Sequence, residues 1–175
     1  MSDDQAILIS DIFPTGWFGA DIADIHEGHT VAVFGCGPVG QFAIASAMLM
    51  GAGRVIAVDK HDDRLAIARR QGAEIINFEK EDPVQTIIDL TGGIGVDRVI
   101  DAVGVEAEHA HSGPAAEQAG KQEAEFRREV DETAPEHRDQ GPFAPGDAPS
   151  QALRWAWKRW PRRAPCRSSE SIRRR

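Results

Sequence analysis

Thr30-Val31-Ala32-Val33-Phe34-Gly35-Cys36-Gly37-Pro38-Val39-Gly40 decides how this chain is read. The first five residues are β-branched or apolar almost throughout and follow a polar turn at Glu27-Gly28-His29, the pattern of a parallel strand buried on both faces. Gly35, Gly37 and Gly40 then spell GxGxxG, and Pro38 sits at a helix start, where a missing N–H costs nothing. Such a hexapeptide is weak alone, because glycines are common in turns. Its context strengthens it: it leaves a strand, opens a helix, and is followed 19 residues after Gly40 by Asp59 at the end of the next strand.

Each residue type has a reason. Gly35 permits the tight turn, Gly37 lets the backbone approach a pyrophosphate, and Gly40 lets helix and strand pack closely. Pro38 and Val39 open a helix whose free N–H groups and partial positive charge hold an anion, worth up to about 2 kcal/mol in a favourable site. Asp59 is placed to accept hydrogen bonds from both hydroxyls of an adenosine ribose and to repel an added phosphate there, which favours NAD over NADP. Arg64 makes that preference incomplete. Asp59 also has a plainer reading, as a cap for the helix that follows it.

Outward from this unit, apolar runs alternate with helical patterns up to Gly104. A helix is expected over residues 38–50, a strand over 54–59, a helix over 62–71 closed by Gly72, a strand over 74–77, a helix over 83–90, and a run over 95–101 leading into a fourth strand. The fold class is α/β, an incomplete Rossmann-type doubly wound parallel sheet occupying residues 30–104. Residues 1–29 read as a helical lead-in. Residues 105–150 are acidic and nearly devoid of large aliphatic side chains, so they read as a surface insertion with one charged helix near 115–130. Residues 151–175 read as the start of a helix followed by an unstructured basic tail.

The chain has 175 residues and a formal charge of -8, unevenly spread. Residues 1–150 carry 11 Lys and Arg against 27 Asp and Glu, whereas residues 151–175 carry 9 against 1. The acidic body argues against nucleic acid or an anionic membrane as partner. Met1 to Ser10 hold acids and no Lys or Arg, and no apolar run reaches the roughly 18 residues of a spanning helix, so a cytoplasmic protein is expected. Cys36 and Cys166 are isolated, and the six histidines have no cysteine partner at ligand spacing, so the histidines are expected to be solvated.

Residues 3 to 155 resemble zinc-dependent alcohol dehydrogenases of the medium-chain dehydrogenase/reductase superfamily, in their coenzyme-binding domain. The carriers are Pro14-Thr15-Gly16-Trp17-Phe18-Gly19-Ala20, the run from Val33 to Gly40, Val58-Asp59, and Asp101-Ala102-Val103-Gly104. Ser10-Asp11-Ile12-Phe13-Pro14-Thr15-Gly16-Trp17 and the long insertion most resemble the glutathione-independent formaldehyde dehydrogenase/dismutase branch. The resemblance implies that Asp11 is one ligand of a catalytic zinc, that Thr15 lies beside the nicotinamide, and that Val103 and Gly104 lie beneath the cofactor. Gly35, Gly37, Gly40, Asp59 and Arg64 match its pyrophosphate and ribose contacts. The activity implied is hydride transfer to NAD from a small alcohol or aldehyde hydrate, with formaldehyde as the leading substrate and full-length members oligomeric. Asp11 also reads as a helix cap. The family's other zinc ligands, a Cys and a Gly-His-Glu motif, are absent from the sequence, so a retained zinc is not expected: a catalytic zinc needs three protein ligands. A non-catalytic nucleotide-binding fragment is the alternative reading.

From Trp157 the sequence fits neither a continuing helix nor the next strand of the sheet. Basic residues among tryptophans could bind nucleic acid. Back-translation of this tail one base out of register permits Glu-Ala-Leu-Ala-Lys-Ala-Gly-Thr-Leu-Ser-Ile-Ile-Gly-Val-Tyr-Pro-Pro-Thr, a helix, a Gly stop and an apolar strand. We therefore expect a one-nucleotide deletion near Ala156 and a Met1 that is an internal or misassigned start, which a nucleotide sequence lacking that out-of-register strand would refute.

Overall fold

The structure, a computed structural model, describes residues 1–135 and 145–158. Most of the expected basic tail, residues 159–175, lies outside the described residues. Four strands, β1 (Thr30–Phe34), β2 (Arg54–Asp59), β3 (Glu74–Asn77) and β4 (Arg98–Asp101), pair in parallel in the order β3-β2-β1-β4. The register sets Val33 beside Ala57 on one side and Ile100 on the other. The chain builds outward from β1 to β3, then returns to place β4 on the opposite flank. Strand order therefore reverses next to β1, the place where an open parallel sheet leaves a crevice at its carboxyl ends.

Side-chain alternation explains why both faces are covered. Val31, Val33, Val55 and Ala57 point to one face, against Ala20 of α2 (Ile12–Ile22), Ala43, Ile44 and Ala47 of α3 (Pro38–Leu49), and Leu65 and Ala68 of α4 (Asp62–Gln71). Ala32, Phe34, Ile56, Val58 and Ile76 point to the other, against Val84 and Ile87 of α5 (Pro83–Leu90) and Ala152 and Trp155 of α8 (Gln151–Lys158). Burying a Val or Ile at such a position stabilises by about 1.5–3 kcal/mol relative to exposure. The doubly wound sheet expected from the sequence is thus formed, with β4 paired only to β1 among the described residues.

The helix ends follow their sequence signals. Asp82 caps α5 by accepting from the Val84 and Gln85 amides, with Pro83 at the first helical position. Gly72 closes α4 in the left-handed region, as anticipated for a C-terminal glycine. The lead-in segment carries α1 (Asp3–Ser10) as well as α2.

Residues beyond β4 differ from expectation in a physically simple way. One charged helix near 115–130 was anticipated, and there are two, α6 (Gly113–Gly120) and α7 (Glu123–Thr133), broken at Lys121-Gln122 just after Gly120. The segment is also less superficial than its composition suggests. Phe126 is 1% exposed, stacked on the His109 ring and beneath the Arg154 guanidinium, which lies 5.3 Å from its centroid. Arg154 pairs with Glu125 at 2.9 Å and with Glu129, fastening α7 to α8. One aromatic, the small side chains of Ala115 and Ala119, and this ion-pair network supply what the missing aliphatics do not.

Helix α8 runs to Lys158, so Trp157 and Lys158 are helical where the sequence suggested that no helix continued. The reason is amphipathicity: Ala152 and Trp155 face the sheet, while Leu153 and Trp157 face outward. No helix among the described residues is long and apolar enough to cross a membrane.

Candidate functional site

The crevice predicted by the strand order is present as a cleft of about 590 Å³ at the carboxyl ends of β1, β2 and β4. That volume falls in the usual range for small-molecule sites. Gly35, Gly37, Pro38 and Val39 line one wall, Asp59 and Arg64 the next, and Ala102 and Val103 the floor on the β4 side.

The loop is shaped by its glycines. Gly35 has φ +87°, and its N–H donates to the Val58 carbonyl at 2.8 Å, so the chain turns sharply off β1 while remaining tied to β2. A Cβ on Gly40 would stand 1.9 Å from the Gly35 carbonyl oxygen, so only glycine lets the first turn of α3 sit on the loop. Gly37 differs: the nearest atom to its missing Cβ is the Arg64 guanidinium at 4.0 Å, leaving open space on the cleft side. Gly37 is also the N-cap of α3 and makes no side-chain cap, so the free amides of that helix end are presented to the cleft.

Asp59 ends β2 and is only 5% exposed. One carboxylate oxygen accepts from the Cys36 amide at 2.7 Å, the other from the His61 amide at 2.8 Å, and Arg64 lies 4.0 Å away. The bond to His61 is a tight local turn, and the N-cap of α4 is His61, so the plainer reading of Asp59 as the helix cap is not what forms. Each carboxylate oxygen retains a second lone-pair direction for a further donor. Gln41 donates to the Cys36 and Arg64 carbonyls at 2.9 Å each, joining the glycine loop to α4. On the β4 side the Asp101 carboxylate accepts from the Val103 and Gly104 amides at 2.9 and 3.0 Å, fixing the turn that ends that strand.

The outer rim comes from residues that the sequence reading did not single out. Lys60 is ion-paired with Glu108, and the Glu108 carboxyl is held below the usual range first by that bond, against the opposing effect of burial. Phe78 and Trp155, with ring centroids 5.2 Å apart, form an apolar wall. Nothing local in the sequence marks them, because they come from the turns after β2 and β3, from α8 and from the segment after β4.

Cys36 is buried within the loop and its thiol reaches the Val58 carbonyl at 3.9 Å. Burial, with the Asp59 charge adding to it and Arg64 opposing, pushes this thiol from its ordinary value of 9.0 up to about 12. Folding therefore favours the protonated thiol; that stabilisation is intact below about pH 9 and is lost as the pH rises toward about 12. We predict that iodoacetamide at pH 8 leaves Cys36 unmodified in the native chain and labels it once urea unfolds it; native labelling at the rate of a free thiol would contradict this placement.

Asp11 and Thr15 do not line this cleft. Asp11 occupies the junction of α1 and α2 and makes no side-chain cap bond; its carboxylate and carbonyl instead accept from the Thr15 hydroxyl at 3.0 and 2.8 Å. Among the described residues Asp11 belongs to no group of three or more His, Cys, Asp or Glu able to share a metal ion. The residues described here thus do not fit the three-ligand zinc that the resemblance implies.

A glycine turn beneath a helix start, a strand-end aspartate reaching across to it, and a cleft where strand order reverses define a Rossmann-type α/β protein. Residues 38–121 match the pattern of the zinc-binding dehydrogenase family. An alcohol dehydrogenase of Cupriavidus necator is 48% identical over 108 residues, which is 61% of this chain and 30% of that protein. A glutathione-independent formaldehyde dehydrogenase of Pseudomonas aeruginosa is 49% identical over 107 residues, 60% of this chain and 27% of its own length. Among solved structures, the alcohol dehydrogenase TADH from Thermus sp. ATN1 superposes with a TM-score of 0.58 at 39% identity, covering 61% of this chain and 31% of that one. The chain spans about 30% of the length of these relatives.

Proposed function

We propose that the cleft binds NAD and that the chain is the coenzyme-binding portion of an NAD-dependent oxidoreductase of the zinc alcohol/formaldehyde dehydrogenase type. The observation that carries the reading is the contact between Gly40 and the Gly35 carbonyl, which a Cβ would bring to 1.9 Å: it seats the helix N-terminus directly over the loop that a pyrophosphate occupies. Gly35, Gly37, Pro38, Val39 and Gly40 hold the phosphates. Asp59 accepts from the ribose hydroxyls on its spare lone pairs, and Arg64 balances its charge. Val103 and Gly104 support the cofactor beneath the β4 turn.

By resemblance, Thr15 stands beside the nicotinamide and Asp11 supplies one ligand of a metal site. The bound cofactor would accept hydride from a small alcohol or aldehyde hydrate, formaldehyde first among them. Because Asp11 has no companion ligands among the described residues, no step is assigned to a metal. The second reading is a nucleotide-binding chain that does not turn over.

Titration of the chain with NAD, followed by calorimetry and by tryptophan fluorescence, tests the first reading. Saturable NAD binding with NADP weaker by about tenfold, roughly 1.4 kcal/mol, is the expected result. Absence of saturable NAD binding into the millimolar range would remove it. Absorbance at the NADH maximum after adding formaldehyde or a short alcohol then separates catalysis from binding alone.

A further inference from the structure

The histidines were expected to be solvated; His111 is exposed and His109 half-buried, and the two rings lie together. His109 and His111, in the segment after β4, converge with Asp147 so that one ligand atom from each lies within 4.8 Å of the others. We propose that these three side chains form a binding site for a divalent transition-metal ion, separate from Asp11 and unconnected with the family's zinc.

Four observations carry it. The first is spacing: Asp147 Oδ2 lies 3.2 Å from His109 Nε2 and 3.5 Å from His111 Nε2. A tetrahedral ion with bonds of about 2.0–2.1 Å sets its ligand atoms roughly 3.3–3.4 Å apart, so these two edges are already near their liganded length.

The second is that the outer bonds leave the right atoms free. The Asp147 Oδ1 atom accepts from the His109 backbone amide at 2.9 Å, which orients Oδ2 toward the two rings. His109 Nδ1 stands 2.9 Å from the Ala110 carbonyl oxygen; an N–H there donates to that carbonyl and leaves the Nε2 lone pair for an ion. A ring nitrogen bonded to a backbone carbonyl is the usual support of a metal-binding imidazole.

The third is rigidity. The His109 ring lies nearly parallel to the buried Phe126 ring, with an interplanar angle of 14° and a centroid distance of 6.5 Å. The His111 and Ser112 amides both donate to the Glu79 carboxylate, pinning the backbone on the other side of the second ligand. Burial pushes that carboxyl up, but the Ser112 side chain and these amides outweigh it and hold it below the usual range.

The fourth is the donor set. Two imidazoles and one carboxylate suit zinc, cobalt, nickel or ferrous iron and suit magnesium or calcium poorly, since those ions take all-oxygen shells. Glu108 Oε2, 3.6 Å from His111 Nε2 but held by Lys60, leaves the remaining position to water. An ion here would clasp the segment after β4 to the Asp147 segment, and the neighbours Ala107, Glu108 and Gly146 line the outer wall of the nucleotide cleft.

The test uses the whole 175-residue chain, stripped with a chelator and titrated with Zn²⁺ by calorimetry and with Co²⁺ by visible absorption. One ion per chain is expected, with nitrogen-ligated Co²⁺ bands. His109→Ala and His111→Ala should each weaken binding by about a hundredfold, the upper figure seen even for supporting residues of metal sites. Asp147→Asn keeps an oxygen for the His109 amide, so it should fold as the parent by circular dichroism yet bind at least about tenfold more weakly. His26→Ala and Asp11→Asn should bind as the parent. No binding by the parent chain, or binding that survives Asp147→Asn and both histidine variants while falling in His26→Ala or Asp11→Asn, overturns the proposal.

Discussion

A Gly40→Ala chain is expected to lose about 3 kcal/mol of stability, the upper range for overpacking a tight site, and its NAD binding with it. The added methyl would stand 1.9 Å from the Gly35 carbonyl oxygen and 2.8 Å from its carbonyl carbon, and neither is a flexible side-chain end that can swing away. Gly35 cannot retreat either. Its amide is held by Val58, and the space beneath it is filled by Val103, whose Cγ2 lies 2.5 Å from where a Gly35 Cβ would be. The remaining escape is for α3 to lift off the loop, which uncovers Ala43, Ile44 and Ala47 and moves the helix amides away from the phosphate position. Gly37→Ala is the informative contrast. Its methyl meets nothing nearer than 4.0 Å, so that variant should fold as the parent while the methyl, projecting into the cleft, blocks the pyrophosphate. Urea unfolding and NAD titration on both variants separate the two roles. Equal stability of Gly40→Ala and the parent would show that the loop is not packed as described.

The contrast between these glycines marks what the sequence made legible. Spacing together with the flanking strand, helix and Asp59 suggested a phosphate loop, because that whole pattern is local and β1 and α3 are adjacent in the chain. The strands, the helices between them and the end of β2 at Asp59 were legible for the same reason: alternation and helical periodicity are properties of short windows. The wall opposite the loop was not. Phe78, Trp155 and the Lys60–Glu108 pair meet only through folding, and no window contains two elements of that wall.

Composition after β4 points to the surface, where most of α6 and α7 does lie, but it gives no sign of the one buried aromatic. Few aliphatics do imply little apolar area, but a single Phe126 under Arg154, with carboxylates on α7 to pair that arginine, is enough to dock two short helices. The His-x-His pair was visible in the sequence, and its third partner was not. Asp147 lies far along the chain, and its bond to the His109 amide, with the flanking Gly146 and Ala148 amides bonded to the Val105 and Ala107 carbonyls, brings it to the rings. At Asp11 a local bond is all that the structure adds. The sequence offered a cap or a ligand, and the structure shows a carboxylate occupied by the Thr15 hydroxyl one turn ahead.

Asp59→Asn is expected to weaken NAD binding by roughly 10–100-fold and to narrow the preference for NAD over NADP, since hydrogen bonds to a charged group are worth about 1.5–3 kcal/mol. The buried carboxylate presents acceptors on both sides, to Cys36 N–H at 2.7 Å and to His61 N–H at 2.8 Å. An amide offers one acceptor and turns its NH₂ toward the other donor, so one of those backbone N–H groups loses its partner, at about 1–3 kcal/mol. The loop and the start of α4 therefore loosen together. Loss of the charge also removes the repulsion of a ribose phosphate, and Arg64, 47% exposed on its side chain and then unopposed, can meet that phosphate directly. NADP should thus lose less affinity than NAD does, or gain. An internal check comes from Cys36, whose thiol is raised first by burial and next by the Asp59 charge. In Asp59→Asn the second cause is gone, so the thiol should ionise at lower pH and alkylate faster in mildly alkaline buffer. If the ratio of NAD to NADP affinity is unchanged while the thiol becomes more reactive, Asp59 organises the loop without touching the ribose; if both change together, the same carboxylate does both.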